Sequence, residues 1–464
     1  MEQHIPTPDS DGAIAEIFAS WAAGLSLDQV PAGAKARAIE ALIDHVGLCV
    51  AARHQDYVRA IIDSWDGRGN CTAFGQTGGF DMAGAALING TASHGEDYDD
   101  TFEGSPMHTS AVVIPAVLAA AEQFGASGKD VLRGILVGGE LMCRMAIVAP
   151  TAQHRAGFHP TAVAGAMGAA AGVAATLGMN RQQITNALGV AGSFASGIIE
   201  YLAEGTWTKR VHPGWAAQSG IRAALLARSG FMGPRTVFEG EHGFYFAFSA
   251  KSVPPDFSQL TRELGSFWNI GNIAFKPYAC GTMVQPFIDC AIRLAREGVP
   301  IERITDITCR VGEGTVHRLW EPLAEKRKPS TPYSAKFSVP YGVAVGLMDQ
   351  AAGLNQFTDT RITDPSLLAL AAKIGYEIDP KDEYPRNYTG TVIVTLDDGR
   401  IVEASQPHLR GGMRERLSLE EIHAKFDANC SYGGWSPELG RQLRDYASGL
   451  FEAPDLSALA GFRG

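Results

Sequence analysis

The sequence predicts a mainly α protein, with a large all-helical domain built from both chain ends and an inserted α+β domain. Three observations carry this reading. Apolar residues recur at helical spacing from residue 12 to about residue 265. Near Phe267 the pattern changes to alternating runs, and in the tail it returns to helical spacing. A chain of 464 residues also exceeds one ordinary core, which favours two domains. The expected division is 1–268 helical, 269–411 α+β, and 412–464 helical.

The elements follow in chain order. Ile14, Ile17, Phe18 and Trp21 share one helical face, and Ala38, Leu42, Val46 and Cys49 continue the pattern over 36–51. Further helices are expected over 82–93, 111–124, 129–148, 159–177, 181–195 and 216–229. Gly and Ala dominate their faces, which lets helix axes approach closely. Gly125, Gly178, Gly230 and Gly233 fall where helices stop, and Asn180 caps the helix that follows it. In the insert, residues 304–311 alternate as a strand. Residues 390–396 do the same and meet Asp397-Asp398-Gly399, a hairpin signal with 401–404 as the return strand. Residues 343–350 and 366–374 read as helices. Gly411-Gly412 ends the insert, Ser418-x-x-Glu421 has capping-box spacing, and 437–459 reads as helix.

Bulk properties narrow the function. Hydrophobics at 45% and charged residues at 19% fit a soluble globular protein. A net charge of −11 argues against broad binding to nucleic acid or anionic membrane, although it permits a local basic pocket. Residues 1–10 lack a basic stretch followed by an apolar one, so no secretory signal is expected. The Gly/Ala-rich run 162–178 lies just under the roughly 18–20 apolar residues of a membrane span and reads as a packed core helix. The seven cysteines are scattered and form no CxxC pair. Reduced thiols in the cytoplasm are expected.

The chemistry concentrates in a few segments. Gly205-Thr-Trp-Thr-Lys-Arg-Val-His-Pro-Gly-Trp-Ala-Ala217 gathers Lys209, Arg210 and His212 on what reads as a loop opening a helix. Free N–H groups at a helix mouth add to such side-chain charge and make an anion site, here for a carboxylate. His94-Gly-Glu-Asp97-Tyr-Asp99-Asp100-Thr101-Phe-Glu103 is densely acidic, and Asp97, Asp100 and Glu103 would share a face if helical. A divalent-metal site for phosphate or isoprenoid chemistry needs a second acidic motif, and none is visible. The plain alternative is a capped helix terminus. His108 precedes a helix start. His159, just before Pro160, points at another helix mouth. Lys276 opens the insert, where it either closes over the same anion or is simply solvated. Tyr341 sits near a further helix start, a place where tyrosine is usually a packed aromatic.

In this order the segments resemble the MmgE/PrpD family, which includes 2-methylcitrate dehydratase, cis-aconitate decarboxylase and iminodisuccinate epimerase. The matching stretches are Asn89-Gly-Thr-Ala-Ser-His94, Asp97-Tyr-Asp-Asp-Thr101, His108-x-Ser110, Gly157-Phe-His-Pro-Thr161, Lys209-Arg-Val-His-Pro-Gly-Trp-Ala-Ala217, Gly230-Phe-Met-Gly-Pro234 and Lys276-Pro-Tyr-Ala-Cys280. The resemblance implies a lid role for the insert, a homodimer, and chemistry without metal or organic cofactor. It also implies a small di- or tricarboxylate substrate. By motif match, Asp97, Thr101, His108, His159, Lys209, Lys276 and Tyr341 face the pocket, with Arg210 and Gln285 as further substrate contacts.

Three departures stand out. His108-Thr109-Ser110 replaces His-Pro-Ser, Tyr278-Ala279-Cys280 replaces Tyr-Pro-x-Cys, and Gln285 stands before Pro286 where a His is common. An amide donates a hydrogen bond but does not shuttle protons near neutrality. The expected chemistry is proton transfer beside a carboxylate. His159 acts at carbon, His108 makes the complementary transfer, Asp97 orients a histidine or lysine, and Lys209 and Lys276 spread negative charge. A 2-methylcitrate dehydratase-like hydro-lyase is the first reading. A cis-aconitate decarboxylase-like or iminodisuccinate epimerase-like enzyme is the alternative, and a silent polycarboxylate-binding protein stands further back.

Overall fold

The computed structural model describes residues 12–384 and 386–464. Helix accounts for 57% and strand for only 9%, so the fold is mainly α, as expected. The chain divides into two compact units. Unit 1 runs to Gly95 and continues through Asp99–Ile273 and Gly433–Gly464; unit 2 comprises Glu96–Tyr98 and Ala274–Tyr432. Unit 2 therefore takes in 412–432, which the sequence reading counts with the helical domain.

Unit 1 is built around the helix Pro160–Thr176, every residue of which is buried. It packs against Gly128–Val148, Thr208–Arg228, Ser110–Phe124 and Arg181–Phe194. A helix covered on all sides carries no polar stripe, hence its Gly/Ala composition. Glycines set the closest crossings. A Cβ on Gly138 would lie 2.6 Å from the Gly168 carbonyl oxygen, and one on Gly134 2.7 Å from that of Gly172. The helix Met82–His94 crosses Thr208–Arg228 in the same way, with a Gly90 Cβ falling 2.7 Å from Gly214 Cα. Among the described residues no helix is long and apolar enough to cross a membrane.

Two segments differ from expectation. Residues 205–217 do not form a loop ahead of a helix, because the helix already begins at Thr208 and runs through Pro213 to Arg228. The helix tolerates Pro213, which forgoes the backbone bond to the Lys209 carbonyl, and Gly214 is required by the crossing with Met82–His94, where a Cβ on it would fall 2.3 Å from the Leu87 carbonyl oxygen. Residues 96–103 are not helical, so Asp97, Asp100 and Glu103 share no helical face. The segment is irregular, and Asp97 adopts a left-handed φ of 56°.

Unit 2 contains a four-stranded sheet in the order Ile374–Ile378, Ile304–Val311, Gly390–Leu396, Ile401–Gln406. The first pair is parallel and the others are antiparallel. The hairpin turns through Gly399 at φ 83°. Of strand 374–378 only Ile374 falls within the helix expected over 366–374, and the strand itself is not expected. The helix instead stops at Ala371, and Ile374-Gly-Tyr-Glu-Ile378 then pairs with the alternating strand beside it. Helix Gln285–Arg296 packs on the sheet and against Val339–Asp349. Ser418 and Glu421 exchange the two expected capping hydrogen bonds, at 2.8 and 3.2 Å. All seven cysteines are free and buried.

Candidate active site

Helix ends in unit 1 gather four histidines. His94 is the last residue of Met82–His94, and His159 is the N-cap of Pro160–Thr176, with proline at the first helical position. His108 precedes the helix Ser110–Phe124, and His212 lies in the second turn of Thr208–Arg228. The ring centroids of His94 and His108 are 4.7 Å apart, those of His94 and His159 5.8 Å, and those of His159 and His212 5.3 Å. All four are buried.

Fixed acceptors orient these rings. His108 Nδ1 lies 2.7 Å from the Asp100 carbonyl oxygen. A carbonyl only accepts, so Nδ1 carries the proton, and in the neutral ring Nε2 holds the lone pair. Asp99 Oδ2 lies 2.7 Å from His94 Nδ1 and 3.3 Å from His108 Nδ1, so one carboxylate oxygen serves two imidazoles. Asp100 itself accepts from Thr109 Oγ1 and the Ser110 N–H, which ties the acidic segment to a helix start. Burial pushes its carboxyl up to about 6, with the Asp99 charge adding to the shift.

His159 and His212 face each other through their Nδ1 atoms at 3.2 Å. One ring must donate and the other accept, so they share a proton. Burial holds His159 well below the ordinary imidazole range, reinforced by His94, Lys209, His212 and His108. Burial likewise lowers His212 to about 4, with His94 and Lys209 adding to it. Both rings are therefore neutral near pH 7. Gly197 shapes this corner: at φ 127° its carbonyl accepts the His159 N–H at 2.9 Å. A Cβ there would come 2.5 Å from Ala162 Cβ and 3.4 Å from His212 Cε1.

The other expected site residues of unit 1 are Thr101, Lys209 and Arg210. Thr101 is buried. Lys209 is half-buried near the start of its helix and close enough to affect His159 and His212. Arg210 lies over the Tyr57 ring, 4.4 Å from its centroid.

Unit 2 holds Asp97, Lys276, Gln285 and Tyr341. Lys276 Nζ is 3.3 Å from Asp97 Oδ1 and donates to the Asp97 carbonyl at 2.7 Å. Two further buried lysines repeat this contact on the neighbouring carbonyls, Lys336 on Glu96 at 2.6 Å and Lys425 on Tyr98 at 2.7 Å. Three ammonium groups thus hold three consecutive peptide oxygens, which fixes the left-handed turn at Asp97. Gln285 is buried, with its amide 3.5 Å from the Cys280 carbonyl. Tyr341 is fully buried and donates to the Gln356 carbonyl at 2.6 Å, a packed aromatic with its hydroxyl bonded. A cavity of about 810 Å³ in unit 2 is lined by Tyr278, Asp289, Arg410 and Lys425. It contains none of the four histidines.

Sequence reasoning assigned no catalytic role to His94, Asp99, His212 or Lys336, and counted His212 only among the cations of an anion site. The first three lie inside the quoted motifs, so position in the chain was visible. What was missing was the partner, because the Asp99 and His212 contacts depend on tertiary placement of irregular chain and on a helix read as a loop.

The MmgE/PrpD N-terminal domain matches residues 16–255 and the MmgE/PrpD C-terminal domain matches residues 278–438. The chain is 28% identical over 468 residues to a cis-aconitate decarboxylase of Aspergillus terreus, covering 95% of this chain and 93% of the relative. It is 30% identical over 361 residues to the Homo sapiens cis-aconitate decarboxylase, covering 75% and 72% respectively. A cis-aconitate decarboxylase-like protein of Aspergillus oryzae is 26% identical over 416 residues, 85% of this chain and 86% of its own.

Proposed function

The chain belongs to the MmgE/PrpD family and is a lyase, and we propose that it removes CO2 from a small tricarboxylate of the cis-aconitate type. The observation that carries this reading is the buried His159–His212 pair beside Lys209. Decarboxylase relatives along nearly the whole chain favour CO2 loss over the dehydration of 2-methylcitrate.

The chemistry is a balanced proton-for-CO2 exchange. The bond to the carboxylate on the saturated carbon of a propene tricarboxylate breaks, and CO2 leaves. The electron pair moves through the double bond, and the far carbon takes a proton to give a methylene dicarboxylate. The enzyme must therefore stabilise an allylic carbanion and deliver one proton. Lys209 supplies positive charge where negative charge develops, the kind of fixed electrostatic stabilisation that usually contributes most. His159 delivers the proton. Burial and cationic neighbours keep it neutral; the negative charge of a bound tricarboxylate offsets those neighbours and lets the His159–His212 pair take up the proton that the product needs. His108 binds a substrate carboxylate as the imidazolium, donating from Nε2 while Nδ1–H stays on the Asp100 carbonyl. Lys276 and Asp97 keep the carboxylate-binding and orienting roles of the family resemblance. In this reading the protein needs no metal and works as a cytoplasmic homodimer. Ile198, Leu202, Trp207 and Trp215, exposed within one short stretch, are consistent with a covered surface.

Proton NMR in D2O tests the reaction, with cis-aconitate, 2-methylcitrate, citrate and iminodisuccinate in separate tubes. With cis-aconitate, the expected result is a pair of geminal vinyl signals and one deuteron on the new methylene. Dehydration of 2-methylcitrate with cis-aconitate left intact would replace decarboxylation by the hydro-lyase reading. Deuterium exchange into iminodisuccinate alone would replace it by the epimerase reading.

A further inference from the structure

We propose that His94, His108 and His159 form a binding site for a divalent transition-metal ion of the zinc class, and that an ion bound there inhibits the enzyme. One ring nitrogen from each residue lies within 4.8 Å of those of the other two. Tetrahedral zinc holds nitrogen at about 2.0–2.1 Å, which places neighbouring nitrogens roughly 3.3 Å apart. Closing the cluster to that spacing requires each ring to shift by less than about 1 Å. Side-chain torsions at three helix ends supply such a shift without moving a helix.

The surroundings match what a metal-bound histidine requires. A ligating imidazole anchors its other nitrogen on a carboxylate, a carbonyl or a comparable acceptor. His94 Nδ1 is held by the Asp99 carboxylate at 2.7 Å and His108 Nδ1 by the Asp100 carbonyl at 2.7 Å. His159 Nδ1 is held by His212 at 3.2 Å. These anchors assign coordination to Nε2 in all three rings. Asp99 and Asp100 place negative charge behind the cluster, and Lys209 opposes it. Three imidazoles and no oxygen ligand favour zinc, cobalt, nickel or copper over magnesium or calcium. Three protein ligands leave a fourth position for water or a substrate carboxylate. The ion occupies the nitrogens that the reaction uses, so it competes with proton transfer. The inhibitory consequence rests on the active-site reading above, whereas the binding does not.

The test is titration calorimetry of the EDTA-treated full chain with zinc chloride, with magnesium chloride as control, together with the visible spectrum of the cobalt(II) form. Expected are saturable zinc binding without magnesium binding, and cobalt d–d bands without sulfur-to-metal charge transfer. His94→Gln, His108→Gln and His159→Gln each weaken zinc binding at least tenfold, and Asp99→Asn weakens it by roughly 10–100-fold. The proposal is overturned by absent saturable binding, by affinity unchanged in all three histidine variants, or by thiolate bands in the cobalt spectrum. The wild-type spectrum needs no variant to fold. Zinc binding is read without turnover, so a failed decarboxylation assay leaves it standing, and zinc inhibition competitive with cis-aconitate is a separate readout.

Discussion

His159 and His212 are two buried imidazoles joined nitrogen to nitrogen, the contact on which the proposed proton transfer rests. His212 acts through His159 and is a positioning residue. His212→Gln retains a hydrogen-bonding group but removes the titratable partner. Its expected effect is a fall in kcat of about 10²-fold, at the low end of general acid–base contributions, with KM little changed. The acidic limb of the kcat–pH profile shifts as well, which a merely structural role would not produce. At this scale the sequence was informative about residue types and less so about partners. His108 and His159 stand at helix starts marked by Ser110 and Pro160, signals that local chemistry provides. Asp97 was expected to orient a histidine or a lysine. It meets Lys276, and Asp99, two residues on, takes the histidines. An irregular segment has no periodicity from which to tell which carboxylate turns which way.

Among the elements, the crossing of Met82–His94 with Thr208–Arg228 holds the helix segments that carry His94 and His212. Gly90→Ala would place a Cβ 2.7 Å from Gly214 Cα and 2.9 Å from the Ala111 carbonyl oxygen, all backbone atoms that cannot swing aside. Overpacking of this kind costs about 1–3 kcal/mol, and activity falls further because both histidines shift. Gly33→Ala is the control: it meets nothing within 4 Å and is expected to stabilise by roughly 0.4–1 kcal/mol. Thermal unfolding of the two variants separates the cases. The same crossing keeps the chain helical through Pro213-Gly214. Pro213-Gly214 has the composition of a breaker, but helix packing overrides local propensity. The strand 374–378 was missed for the opposite reason, since five residues are too few to distinguish from a helix end until the neighbouring strand is in place.

The whole molecule couples its stability to pH through buried titratable groups. Burial lowers His45 to about 3 and His212 to about 4, and holds His159 low as well. Below about pH 6.5 the unfolded chain takes up protons that the folded chain refuses, so these histidines make stability fall as pH drops from about 6.5 towards 4. Above that range they contribute no slope. Burial raises Asp100 and Asp289 to about 6, which acts in the opposite sense: the folded chain binds their protons first and loses that advantage as pH rises through 6. Three histidines against two carboxylates leave a net acid lability. His45 is buried beside Cys49 on the helix Ala32–Ala51 and has no part in the proposed chemistry, and His45→Leu is expected to flatten the decline in melting temperature between pH 6.5 and 4.5. An unchanged slope would show that His45 does not carry the effect. At this scale the sequence was most legible. The helical periodicity, the alternating insert and the ordered family motifs depend on the hydrophobic pattern, which survives without knowledge of any single contact.

If a buried histidine of unit 1 hands the proton to carbon, His159→Gln removes the donor. Turnover of cis-aconitate by this variant, followed by NMR in D2O and checked for native circular dichroism, is predicted to fall by about 10²–10⁴-fold. Full turnover with deuterium still delivered to the product methylene would contradict it.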